Sequence, residues 1–261
     1  ISAMNKLKWK RFKVMAGWVA IFCYLVVALS FSSTKKDEQN CAGVKVYIRD
    51  SVTNRFVSTK EIYGKLVNAG VKIIFTGHYK LSVGSNSRIS AVGTQQDNIE
   101  FTSLDTTSGW HGLRIRNSIG DTLIYCKFSY ARKSVIDFSK GSEEDAIGAA
   151  VYITMTGSNN SSNHMLKNCL FKGNSCVIAS NAGAVSIRSY NCTVSQCEFI
   201  QNNGGALSLF EGNNIVYGNK IAGNIGVALN IQATSCLIGN NLIYNNGKGC
   251  GSTLFIIEAK L

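Results

Sequence analysis

The 261 residues include no proline, so no strand here is interrupted by the one residue that lacks a backbone donor. Acids are scarce as well, with 15 Asp and Glu against 27 Lys and Arg for a formal charge of +12. The nine cysteines form no C-x-x-C pair and have no histidine at finger spacing, which argues against a zinc site and a thioredoxin-like motif. G-x-x-x-x-G-K-[ST], G-x-G-x-x-G and the G-x-S-x-G elbow are missing too, which removes phosphate-loop and serine-elbow readings. After residue 13 no short run is rich in Lys and Arg, so nucleic acid is not an expected partner. What remains is 45% hydrophobic residues, 16% charged residues and 25 glycines, the composition of an ordered fold with many short turns.

Residues 1–13 form a basic tail carrying Lys6, Lys8, Lys10, Arg11 and Lys13. Residues 14–33 follow without a charge, long enough as a helix for a hydrocarbon layer of about 30 Å. They read as a transmembrane signal anchor. The positive-inside bias then puts the tail in the cytoplasm and residues 34–261 outside. That is a single-pass protein of a bacterial inner membrane with a periplasmic C-terminal part. Ala28-Leu29-Ser30 also has the small-x-small form of a cleavage site, and cleavage there would make the chain a secreted or cell-surface protein.

Residues 34–70 read as a stub and linker. Val44 to Arg49 alternate as a half-buried strand does. Ser58-Thr59-Lys60-Glu61 has capping-box spacing ahead of Ile62, Leu66 and Val67, which predicts a helix. The basic tail, the apolar span and the CAGVKVYIRDSVTNRFVSTKEIYGKLVNAG segment together resemble the start of FtsQ-type cell-division proteins of Bacteroidetes. The resemblance covers residues 4–70 and implies the opening of a POTRA domain with divisome partners. The later elements of that family are not recognisable here.

From residue 71 onward, short β-rich runs recur between Gly, Asn and Ser. Gly183-Ala184-Val185-Ser186-Ile187, Gly205-Ala206-Leu207-Ser208-Leu209 and Val227-Ala228-Leu229-Asn230-Ile231 repeat every 22 residues, as do Cys197-Glu198-Phe199, Asn219-Lys220-Ile221 and Asn241-Leu242-Ile243. Two strand types on one period make each period a coil of a parallel solenoid. Val185, Leu207 and Leu229 predict an apolar inner column, and Ser186, Ser208 and Asn230 an outward one. Asn174, Asn202, Asn224 and Asn246 predict an amide stack at a turn, with asparagine itself supplying the left-handed conformation. Cys126, Cys169 and Cys197 share a column with Asn219 and Asn241 and read as small buried groups. Glu198 should face Lys220 on the next coil. Earlier coils fit once residues 129–148 and 156–163 are treated as insertions.

GVKIIFTGHYKLSV, IEFTSLDTTSGWHGLRIRNS, LIYCKFSYA and the repeated GAxxI…NCxFxxN pattern resemble secreted right-handed parallel β-helix proteins of the pectin-lyase-like superfamily, Bacteroidetes type. The resemblance covers residues 70–261. It implies an all-β right-handed helix of coils, and its members include polysaccharide lyases and glycoside hydrolases. Lyases of that fold pair a calcium held by clustered acids with a base, and hydrolases need close carboxylates.

The insertion acids Asp137, Glu143, Glu144 and Asp145 would serve as the enzyme or calcium site, yet they lack calcium-loop spacing. Arg114, near Asp121, is the nearest thing to a base. Trp110 and His111 of the SGWHGLRI motif, with Arg114 and Tyr152, form the candidate binding set. Arg114, Tyr152, Ser186, Ser208, Asn230 and Phe255 form an expected contact strip on one sheet. His78 and His164 read as isolated. The favoured reading is a membrane-tethered module that binds polysaccharide or cell-surface glycan, or builds a surface, without catalysis and without a cofactor. The rival readings are a polysaccharide lyase or hydrolase, with calcium if a lyase, and a division-site protein.

Overall fold

The computed structural model describes residues 69–85, 87–133, 147–156, 162–176, 183–233 and 235–247, and the backbone course of 43–50, 56–63 and 254–257. The expected anchor at 14–33 and the acids at 137–145 lie outside these. The described residues contain strands and turns and no helix, and hence no helix long and apolar enough to cross a membrane.

Three long sheets run the length of the molecule, and each coil contributes one strand to each. The first holds Tyr79–Val83, Gly112–Arg116, Val151–Thr154, Val185–Arg188, Leu207–Leu209, Leu229–Gln232 and Leu254–Ile257. The second runs from Ser90–Val92 to Leu237–Gly239, and the third from Lys72–Phe75 to Leu242–Tyr244. Pairing within this solenoid is parallel and in register, as in Val185 beside Leu207 beside Leu229 and Glu198 beside Lys220 beside Leu242. The expected 22-residue step is therefore the register of the sheets. The second sheet escaped the sequence reading because its strands are three residues long with one inward side chain, such as Val194 or Val216, too little to show alternation.

Ahead of the coils, Gly43–Asp50 pairs antiparallel with both Phe56–Tyr63 and Tyr79–Val83. The strand expected at Val44 is present. The helix expected from Ser58 is not, because Ser58 to Glu61 lie inside the second hairpin strand. Sheet pairing there overrides a capping-box pattern that carries only local information.

The core is a stack of like on like. Leu113, Val151, Val185, Leu207 and Leu229 form one buried column and Ile115, Ile153, Ile187, Leu209 and Ile231 another. On the third sheet the rings of Phe101, Phe128, Phe171 and Phe199 stack at centroid separations of 4.7, 5.1 and 4.9 Å, nearly parallel. In-register strands lie about 4.8 Å apart, so a ring directly above a ring is the geometry the coils impose.

Corners follow one rule. A residue in the left-handed region precedes a polar or thiol side chain that is buried, or half-buried in the last coil. Gly173, Gln201, Gly223 and Asn245 precede Asn174, Asn202, Asn224 and Asn246, while Asn168, Gln196, Gly218 and Asn240 precede Cys169, Cys197, Asn219 and Asn241. The stacked asparagines are thus confirmed, with one correction: the residue before each supplies the turn. Asn174 donates its backbone N–H and Nδ2 to Oδ1 of Asn202 at 3.0 Å each, Asn202 does the same to Asn224, and Asn224 to Asn246.

The cysteine column is buried as expected. The Cys197 thiol donates to Leu166 O at 3.5 Å, where Asn219 and Asn241 donate Nδ2 to Val194 O and Val216 O at 2.9 Å. Cysteine here stands in for asparagine as a weaker donor. Replacing Cys197 by asparagine should add a rung, because the new Nδ2 reaches both Leu166 O and Asn219 Oδ1. A rise in stability of about 1 kcal/mol is expected in urea unfolding. A lower midpoint would show that the column tolerates only the smaller group.

Burial and the neighbouring thiol push the Cys197 sulfhydryl up, and the Cys169 contact together with burial does the same at Cys126. Burial likewise raises Cys192. Native alkylation of these three should run at least about a hundredfold slower than alkylation in urea, since the thiolate is the reactive form. Rapid native labelling counted by mass would contradict their placement.

Candidate functional site

Trp110 and His111 enter the second coil's first-sheet strand, and Arg114 and Tyr152 sit side by side on it and its neighbour. All four are at most 3% exposed. The Trp110 ring stacks on Phe75 at 4.3 Å and its Nε1 donates to Ser129 O at 2.9 Å. It packs between coils. Arg114 lies against the Tyr152 ring, 6.0 Å from its centre, and its Nη1 donates to Gly148 O at 2.8 Å and Leu113 O at 3.0 Å. Gly148 also lies over Ser186, leaving only 3.0 Å between that side chain and any Cβ added at Gly148. The end of the insertion therefore lies on the outer face of the first sheet, where Ile147 packs with Tyr152.

This corrects the expected contact strip. Ser186, Ser208 and Asn230 alternate with the core columns as predicted, yet they are buried along with Arg114 and Tyr152. Alternation sets which face a side chain takes and says nothing of what later covers that face. The Phe255 side chain is outside the described residues.

The histidines are not isolated. His78 stands 5.1 Å from His111, edge to face, and burial, with the charges of Lys133 and Arg114, holds its pKa below the ordinary value despite bonds to Gly109 O and Ser108 O. His164 Nδ1 lies 3.0 Å from Asp121 Oδ2, both side chains 1% exposed. Asp121, expected beside Arg114, instead ties two coils: its Oδ1 accepts the Ile89 N–H, and its own N–H points at His164 Nδ1. Cys192 follows in the same corner column, with Ser162 Oγ 3.4 Å from its sulfur. Buried against neighbouring coils, this trio holds at the corner before the second sheet the place that stacked asparagines hold at the other two corners, and Asn214 Oδ1 continues it by accepting the Cys192 N–H.

An exposed constellation lies elsewhere, at the exit of the first sheet. Arg116, Thr154, Arg188, Phe210 and Gln232 occupy one column of successive coils. The Arg188 guanidinium sits 4.2 Å from the centre of the Phe210 ring. Beside them the Tyr190 phenol bonds to Glu211, whose carboxylate pushes it up. Arg116 and Gln232 are exposed and the others half-buried. This rim is hard to see in the sequence because the column begins where strand alternation ends. The signal was the 22-residue step from Arg188 to Phe210 to Gln232.

On the third sheet the expected pair is present, with Lys220 Nζ 3.6 Å from Glu198 Oε2, and Glu100 is similarly flanked by Lys72 at 3.2 Å and Lys127 at 3.7 Å. These exposed pairs contribute little stability. Among the described residues no group of three His, Cys, Asp or Glu could hold a metal ion. Comparison with protein-family profiles, with curated proteins and with solved structures found no match.

Proposed function

We propose that the chain is a membrane-anchored, extracytoplasmic β-solenoid that binds polysaccharide through the rim of the first sheet and carries out no reaction on it. The observation that supports this most directly is the Arg188–Phe210 stack flanked by Tyr190, Glu211 and Gln232. A half-exposed aromatic face takes the apolar side of a sugar ring, and planar guanidinium and amide groups beside it bond to ring hydroxyls. A rigid solenoid repeats such contacts along its axis, which suits an extended polymer. The uncharged run at 14–33 behind a basic tail supports the anchor and the outside location.

The full chain in detergent should bind at least one member of a panel of neutral and acidic polysaccharides by interferometry. Phe210→Ala and Gln232→Ala should each weaken that binding about tenfold, the loss of one stacking or amide contact. Absence of binding across the panel, or binding indifferent to both substitutions with melting temperatures unchanged, would remove the proposal.

A further inference from the structure

We propose a second surface: the corner joining the second and third sheets in the last two coils docks onto an anionic lipid bilayer. Five large apolar side chains gather there, with exposures of 38% for Ile215, 46% for Tyr217, 61% for Leu237, 59% for Leu242 and 41% for Tyr244. Register explains the gathering. Ile215 lies beside Leu237 on one sheet, while Leu242 and Tyr244 follow Lys220 and Ala222 on the other. Only Asn240 and Asn241 separate the two strands of that coil, so the five flank a single edge.

Tyr217 is held flat along this edge. Its ring covers Gly239, where a Cβ would come within 3.2 Å of it, and its hydroxyl accepts a hydrogen bond from Asn240 Nδ2. One coil earlier the same columns read Thr193, Ser195, Glu198 and Ile200, and further back Met165 and Val92 are single exposed apolar residues on them, so the apolar side chains cluster at this end. Interior packing does not require it, because the inward residues Ile238 and Ile243 already pack against the core.

The charges around the edge choose the occupant. Lys167, Lys172 and Lys220 lie on the same outward columns, and Glu198, the acid among them, is paired with Lys220. Aliphatic and tyrosine side chains with lysines one to three coils behind them on the same columns match the boundary between acyl chains and anionic headgroups. Exposed leucines offer a polysaccharide no hydrogen bond. The uncharged stretch at 14–33 in the same chain would keep this edge within reach of a membrane.

The test uses the full chain reconstituted in vesicles of phosphatidylcholine mixed with phosphatidylglycerol, with and without bromine on the acyl chains. Leu242→Trp places an indole on the edge. Ile119→Trp places one at a 58%-exposed turn between the first and second sheets, near the other end of the solenoid. After subtraction of the wild-type signal, bromine should quench Leu242→Trp at least about twofold more than Ile119→Trp. The excess should shrink in pure phosphatidylcholine and in a Lys167→Glu, Lys172→Glu background. Equal quenching at the two positions, no quenching at Leu242→Trp, or an excess indifferent to both lipid charge and lysine reversal would overturn the proposal. Because both sites are exposed, neither variant depends on repacking the core, and polysaccharide binding at the Phe210 rim is read separately.

Discussion

Asn202→Ala is expected to lower the stability of the solenoid by roughly 3–5 kcal/mol, the cost of orphaning buried backbone groups rather than of losing one contact. Asn202 is fully buried. Its Oδ1 is the acceptor for both the N–H and the Nδ2 of Asn174, and its own Nδ2 serves Phe171 O at 3.0 Å and Asn224 Oδ1 at 2.9 Å. Alanine removes all four bonds and admits no replacement, since neighbouring coils exclude water. Urea unfolding followed by far-UV circular dichroism should show the midpoint fall, whereas Leu104→Ala, at a 70%-exposed turn, should move it by less than about 1 kcal/mol. Comparable small shifts for both would mean that the amide stack decorates the turn rather than closing it.

Phe171→Ala should cost somewhat more, roughly 4–8 kcal/mol. Removing a buried phenylalanine costs about 3–5 kcal/mol through lost transfer and an unfilled cavity. Aromatic pairing adds about 0.5–1.5 kcal/mol per neighbour, and Phe171 has two, Phe128 at 5.1 Å and Phe199 at 4.9 Å. Phe171→Leu keeps most of the volume and should lose less than half as much. Equal losses for the two variants would show that ring stacking, rather than the filled volume, carries the stabilisation. Since each coil touches only its neighbours, both substitutions should also make unfolding less cooperative, with the probes of the two ends separating.

Much of this fold was legible in one dimension because a solenoid writes its register into the chain. The step from Val185 to Leu207 to Leu229, and from Glu198 to Lys220, is at once a sequence spacing and a spatial contact. The asparagine stack and the buried cysteine column were readable for the same reason. The hairpin at 43–63 was half legible: the first strand showed its alternation, but the second carried a helix-start pattern that only its partner strand overruled. The site was less legible still. Arg114, Tyr152 and the serines alternate outward as read, yet the segment from Ile147 to Ala150 lies over Arg114, Tyr152 and Ser186. His164 and Asp121, 43 residues apart in the chain, meet at one corner through an insertion whose length spacing alone did not resolve.

The amino-acid sequence by itself determined the repeat, the inward columns and the residues that stack at the turns, because each depends on a period that one chain displays. Tertiary structure alone decided which outward residues meet solvent. It covered the Arg114 strip, left the Arg188–Phe210 rim and the Tyr217–Leu242 edge open, and joined Asp121 to His164. The physical reason is that burial of an outer face depends on where an insertion returns in space, a long-range event for which no residue in the strand itself carries a signal.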